Sequence, residues 1–441
     1  MLVSRRSRSS AGCLNGPACA PSFRTTATRS RHPLNSGPTQ ADALPPLKVI
    51  IVRDRMSAGG GIFSYYEAIA KHLTVKADFA DVGRSHGFYG KPGSFIFRFT
   101  AWRLLCDWLA LLVKILRYRP DIVHVNPGLD VKTHRSLRRD AVNVLIARIL
   151  RRRVLVFWRG WDNAWCGQPE FPGGNKAILC RIYQTASAHV LLSEEFKEDL
   201  RRWGFRAPIY VETTAVADDC LLDPSCASQN GLARMDLLYL SRVEVAKGVF
   251  ELLQAYRILK RRNSAYTLTV AGDGPDLEAL KERAKKLQLR DVAFTGFVTG
   301  GAKVQCYRKG GIFCFLSYTE GMPNAVLEAL AMGLPIVSSA AGGLRDILRD
   351  GETGFIVRPL RDAPSERKFD PLAVAEAIER LAGDPVLYNR IAEHNARYAR
   401  ERFAASKVAR RLEAIYTDVC ASPVHLRRLT ARTSKLGTCA E

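Results

Sequence analysis

The sequence has no Cys-x-x-Cys, no cysteine–histidine spacing of the kind that holds zinc, and no phosphate-loop Gly-Lys-Ser/Thr. Each absence removes a class. The eleven cysteines are scattered and odd in number, which argues for reduced thiols in a cytosolic setting rather than a disulfide framework. Without zinc spacings a bound metal is not expected. Without Gly-Lys-Ser/Thr the glycine-rich stretch at 59–61 is not a P-loop. Long apolar runs are missing too. The longest uncharged run of the most apolar segment is residues 108–113, far short of the ~20 residues of a bilayer span. The amino end has arginines but no apolar stretch after them, so a secretory signal peptide is not expected.

Acids are scarce at that end: Asp42 is the only one among residues 1–45, which are rich in Arg, Ser, Pro and Gly. Such a segment cannot bury a core, and residues 1–46 are expected to be a disordered basic tail. Its composition resembles an organelle transit peptide; an extended or misassigned start is the plainer alternative. Residues 421–441 form a second basic tail. The net charge of +23 is spread along the chain and favours anionic partners: nucleotides, lipid surfaces or nucleic acid. No nucleic-acid recognition motif accompanies the charge, so nucleic acid is not expected as a partner.

At 441 residues the chain exceeds the size of a single core, and two domains are expected. From residue 47 strand-like and helix-like segments alternate, the pattern of a parallel α/β sheet. One series of strands is predicted at 48–53, 121–126, 154–158, 189–192 and 208–212. A second is predicted at 236–241, 266–271, 291–295, 312–317 and 335–338. This predicts a first doubly wound domain over 47–216, a linker over 217–232 and a second domain over 233–420, whose last helix is a candidate to pack back on the first. Ligands of such sheets bind outside the carboxyl ends of the strands, so the site belongs in the cleft between domains. Residues 95–119 combine Trp102, Trp108 and a leucine run with Arg98, Arg103, Lys114, Arg117 and Arg119. That segment reads either as a core-facing helix or as a basic amphipathic helix lying in a bilayer interface.

Two glutamates with seven residues between them, Glu320 and Glu328, carry the most information. The apolar run at 311–317 predicts a buried strand before them. Pro323 suits a first helical position and Gly333 a left-handed cap, with Pro335 beyond. One carboxylate therefore sits on a strand-to-helix loop and the other inside the helix. A helix N-terminus is an anion site; flanked by two carboxylates, it suits a ligand bearing both phosphates and hydroxyls. Glu320 as a helix-entry residue and Glu328 as a solvated face is the plain alternative. Upstream, Arg242 and Lys247 stand at a predicted strand end, where a planar fork and a point charge can converge on one diphosphate. Gly59, Gly60 and Gly61 open a helix and would let backbone approach a phosphate. Gly272 and Gly274 read as a structural tight turn.

With these residues in order, the chain resembles the retaining, GT-B-fold glycosyltransferases of group one, or family four. The likeness covers most of 48–420 and is strongest over 236–357. It implies an α/β GT-B fold with two Rossmann-like domains facing across a cleft. It implies that Arg242 and Lys247 neutralise the leaving diphosphate, that Glu320 holds donor-sugar hydroxyls, and that Glu328 binds the ribose. Gly60 and Gly61 would meet the donor phosphate, while Gly321, Met322, Pro323 and Asn324 line the sugar and phosphate site and Phe297 flanks the base. No Asp-x-Asp occurs in the chain, so the cation pair is expected to replace a metal, and no cofactor is expected beyond the nucleotide sugar itself. The family histidine of the first domain is replaced here by Arg159, with Asp162 nearby. Arg159 is a candidate for the donor sugar, an anionic acceptor or a phosphate; His124 reads as packed. The function implied is transfer of a sugar from a UDP- or GDP-sugar to a glycan or lipid-linked acceptor, in surface polysaccharide or glycolipid synthesis. The expected place is the cytoplasm, peripheral on an anionic membrane surface. A nucleotide-sugar epimerase and a catalytically silent binding or assembly protein remain alternatives.

Overall fold

The computed structural model describes residues 46–54, 61–82, 95–129, 135–161, 165–171, 176–227, 234–360 and 368–422. The first sheet is built from β1 (Lys48–Asp54), β2 (Lys76–Val82), β3 (Ile122–Val125), β5 (Arg153–Phe157), β7 (Ala188–Leu191) and β8 (Ile209–Val211). Between them, β4 (Gly128–Leu129) and β6 (Gly160–Trp161) form a separate short pair. The second sheet comprises β9 (Asp236–Leu240), β10 (Thr267–Ala271), β11 (Val292–Gly296), β12 (Ile312–Phe315), β13 (Ile336–Ser338) and β14 (Gly354–Ile356). The orders are β2-β1-β3-β5-β7-β8 and β11-β10-β9-β12-β13-β14, and every pairing is parallel. The α/β expectation therefore holds, with strand reversal points beside β1 and β9.

All the predicted strands form, each within one or two residues of its expected ends. Two edge strands, β2 and β14, were not predicted. Lys76–Val82 shows no alternation, because its charged residues Lys76, Asp78 and Asp81 fall on both faces of the strand. Gly354–Ile356 is too short to show a period. Pro323 is a further difference: it takes an extended backbone (φ −75°, ψ 119°) just outside the helix Asn324–Ala331. Gly333 is left-handed at φ 72°, as its place after that helix requires.

The last helix, Ala405–Ala421, crosses back to the first sheet. Its Tyr416 hydroxyl lies 2.7 Å from His124 Nδ1, whose Nε2 lies 3.2 Å from the Tyr66 hydroxyl. Arg411 grips Glu212 with two bonds of 2.6 and 3.0 Å. His124 is therefore a packed linker between the sheet and two helices.

His189 is buried differently. Neither ring nitrogen has a partner, and the ring stacks on Trp158 and meets Phe205 edge-on at 4.9 Å. Burial, with Arg201 adding repulsion, lowers its pKa from 6.5 to about 3. Burial, with Arg159 adding repulsion, does the same to His124. A histidine kept neutral in the native state favours folding fully above pH 6.5 and less as pH falls toward 3, since only the unfolded chain takes up the proton. Stability should therefore decline by about 1.4 kcal/mol per pH unit per histidine across that window. His189→Phe, an apolar ring in an apolar slot, is expected to leave the midpoint of urea unfolding unchanged or higher at pH 7 and to flatten its acid decline. An unaltered acid slope in this variant would refute the assignment.

Candidate functional site

The carboxyl ends of the two sheets meet. Asn324 Nδ2 donates to the Gly61 carbonyl at 3.4 Å, so the helix Gly61–Ala70 and the helix Asn324–Ala331 touch at their amino ends. A Cβ on Gly321 would lie 3.2 Å from Leu192 Cδ1 and 3.5 Å from the Arg159 carbonyl. A latch at the edge of this seam joins Glu194, whose N–H donates to Asp346 Oδ2 at 2.9 Å, and Glu195, paired with Arg345 at 3.3 Å.

Close backbone packing sets the loops. Gly248 has φ 64°, and a Cβ there would come within 2.1 Å of the Leu316 carbonyl. Gly272 and Gly274 lie so close to Ser241 and Val243 that Cβ atoms would sit 1.9 and 2.2 Å from their carbonyls. Glycine is thus required where β10's turn backs the segment bearing Arg242. Gly342, at φ 53°, lies under the Glu320 carbonyl in the same way.

Within this frame Lys247 Nζ donates to Glu320 Oε1 at 2.5 Å, with side-chain exposures of 17% and 12%. Arg242 is 67% exposed and only loosely paired with Glu244 at 3.5 Å. Both cations are paired, Lys247 closely and out of water, Arg242 loosely and in it. Glu328 is buried in its helix. Its Oε1 accepts from Lys303 at 2.7 Å and its Oε2 from the Tyr307 hydroxyl at 2.9 Å. Burial opposes the charge on Lys303, but Glu328 outweighs it and leaves the ammonium pKa raised. A carboxylate has about four acceptor sites, so Glu328 can still receive two hydroxyls. Met322 is buried against Leu192 and Gly343. Phe297 stands 64% exposed after β11. Gly60 and Asp162 lie outside the described residues.

Lys303 and Tyr307, the two residues that hold Glu328, are not foreseen in the sequence. They stand one turn apart in the helix Gly300–Lys309, but no local pattern ties them to Glu328, 21 residues beyond Tyr307. Among the described residues no cluster of three His, Cys, Asp or Glu could hold a metal.

Known proteins resemble this chain in sequence and in fold. The family model described as glycosyl transferases group 1 matches residues 230–398. An α-D-kanosaminyltransferase of Streptomyces kanamyceticus is 28% identical over 53% of this chain and 61% of its own length. A sulfoquinovosyl transferase of Arabidopsis thaliana is 26% identical over 56% of this chain and 49% of its own. The chain thus spans about half the length of these curated relatives. Among solved structures, Anabaena HepE in complex with UDP-glucose has a TM-score of 0.62 at 18% identity, covering 84% of this chain and all of HepE. A Rickettsia africae glycosyltransferase has a TM-score of 0.63 at 17% identity, over 86% of this chain and all of its own. The fold is the GT-B arrangement.

Lys303→Met should strand the Glu328 carboxylate in a buried place and lower unfolding free energy by about 3 kcal/mol. Glu328→Gln, which keeps a partner for Tyr307, should cost less. Equal urea midpoints for the two variants would contradict this ordering.

Proposed function

We propose, from the premise that this chain belongs to the group 1 glycosyl transferases through residues 230–398, that it transfers a sugar from a nucleotide-diphosphate sugar, with retention, to a glycan or lipid-linked hydroxyl. The observation that carries the reading is the convergence of Lys247, Glu320, Asn324 and Gly61 at the carboxyl ends of two facing sheets. Negative charge grows on the leaving diphosphate, and fixed cations aimed there are the largest expected catalytic contribution. Lys247 supplies one such cation and the exposed Arg242 a second. Glu320 then orients donor-sugar hydroxyls, and Glu328 takes the ribose.

Retention follows if the acceptor oxygen bonds to the anomeric carbon on the face the diphosphate leaves. The carbon–phosphate-oxygen bond breaks with its electron pair going to the diphosphate, and that oxygen takes the acceptor's proton. The cation pair in place of an Asp-x-Asp motif supports a metal-independent reaction.

A lipid-linked acceptor is supported by the helix Phe95–Tyr118. Trp102, Leu105, Leu109, Val113 and Leu116 form one exposed apolar stripe, opposite buried Leu111 and Ile115. Arg117 and Arg119 are exposed beside it, which suits an anionic bilayer surface. Trp108 is not part of the stripe; its indole nitrogen is buried. Among the described residues no helix is long and apolar enough to cross a membrane.

Two measurements test this reading. With UDP- and GDP-sugars and membrane lipid extract, release of UDP or GDP is expected from one donor class and should fall about 100-fold or more in Lys247→Ala and Glu320→Ala. Unchanged release in both variants would remove the proposed roles. In vesicle sedimentation, retention on phosphatidylglycerol-containing vesicles should exceed that on phosphatidylcholine alone and drop at least about tenfold in Trp102→Ser/Leu109→Ser. Equal binding to both vesicles would contradict the membrane reading.

A further inference from the structure

Arg159 is 8% exposed, yet among the described residues its side chain has no hydrogen-bond or ion-pair partner: Nε and Nη1 are fully enclosed and unsatisfied, leaving Nη2 as the nitrogen that meets solvent. Its nearest neighbours are ring faces. The guanidinium carbon lies 3.8 Å from the Tyr65 ring centre, 4.3 Å from Phe157 and 5.7 Å from Tyr66. The Tyr65 hydroxyl is equally enclosed and equally unpartnered.

All of this lies at the cleft floor. Arg159 follows β5, and its N–H donates to the Pro127 carbonyl beyond β3 at 3.0 Å. Its own carbonyl faces Gly321. Tyr65 stands one turn inside the helix that opens at Gly61.

Taking a guanidinium out of water without an anion is strongly unfavourable, and ring faces return only part of the loss. A spacer between aromatic rings needs no charge. A cation kept here, with no acid paired to it and Nη2 open to solvent, is poised for an anion. An arginine fork matches carboxylate and phosphate alike. The reading above gives the diphosphate to Arg242 and Lys247, so the anion left for Arg159 is a carboxylate on a sugar.

We propose that Arg159 recognises a carboxylate carried by one of the two sugars that meet in the cleft, a uronic-acid-type donor or acceptor. The inference rests on the nucleotide-sugar reading above and deepens it by naming a substrate class.

The test uses the full chain as wild type, Arg159→Met and Arg159→Lys, with titration calorimetry. UDP and GDP are titrated first. The donor arm compares UDP-glucuronate and GDP-mannuronate with UDP-glucose and GDP-mannose. The acceptor arm compares methyl glucuronoside with methyl glucoside on nucleotide-loaded protein. Bare nucleotide should bind wild type and Arg159→Met within about twofold. In one arm the wild type should prefer the carboxylated sugar by about tenfold or more, and Arg159→Met should abolish that preference. The arm in which this occurs assigns the carboxylate to donor or acceptor. Should Arg159→Met fail to fold, Arg159→Lys, which keeps the charge but loses the planar fork, should lower the preference without touching nucleotide affinity. No carboxylate preference in either arm would overturn the proposal. So would an equal loss of UDP or GDP binding, which would put Arg159 on the diphosphate. Wild type that binds neither nucleotide would instead overturn the nucleotide-sugar reading, and this inference with it.

Discussion

The contact between Lys247 and Glu320, 2.5 Å long and mostly hidden from water, ties together the two loops on which the rest of the site is hung. One loop follows β9 and the other follows β12, adjacent strands of the second sheet. Holding two opposite charges at that distance requires the backbones behind them to be close, and the glycines allow it. Gly248 presses on Leu316, Gly272 and Gly274 on the Arg242 segment, and Gly342 on Glu320 itself. A side chain at any of these positions would push a loop out and separate the charges. Desolvated pairs of this kind are strongly coupled, so removing either member exposes the other to a large penalty.

The second half of the site was legible because its signals are local. A buried apolar strand, a proline, a helix and a left-handed glycine follow one another within residues 311–333, and the two glutamates fall at fixed places among them. Gly61 was legible as a helix opening, and it does begin the helix Gly61–Ala70. Lys303 and Tyr307 were not, because their meeting with Glu328 depends on how the helix Gly300–Lys309 packs against the helix Asn324–Ala331. The edge strands β2 and β14 were hidden for a related reason. Charges fall on both faces of β2 and break its alternation, and β14 is too short for a period. The burial of Arg159 could not be read either: nothing in the order Trp158-Arg159-Gly160 says that its charge lies against Tyr65 and Phe157.

The two halves make unlike contributions. The second sheet brings paired, hydrogen-bonded charges: Lys247 with Glu320, and Lys303 and Tyr307 with Glu328. The first brings a glycine backbone at Gly61, an unpaired Arg159 and an apolar stripe on the helix Phe95–Tyr118. Satisfied charges suit a ligand part that is always the same, such as a nucleoside diphosphate. Unsatisfied groups and exposed apolar surface suit the part that differs from enzyme to enzyme. The last helix, anchored through Tyr416–His124 and Arg411–Glu212, fixes the second half against the first.

On the proposed reading one nucleotide diphosphate lies between Gly61 of the first half and the Lys247 and Glu320 loops of the second. Hydrogen–deuterium exchange with and without saturating UDP or GDP reads this directly. Slowed exchange is expected together in residues 61–70, 241–249 and 320–328. Protection confined to the second and third segments, with 61–70 unchanged, would contradict a site shared across the cleft.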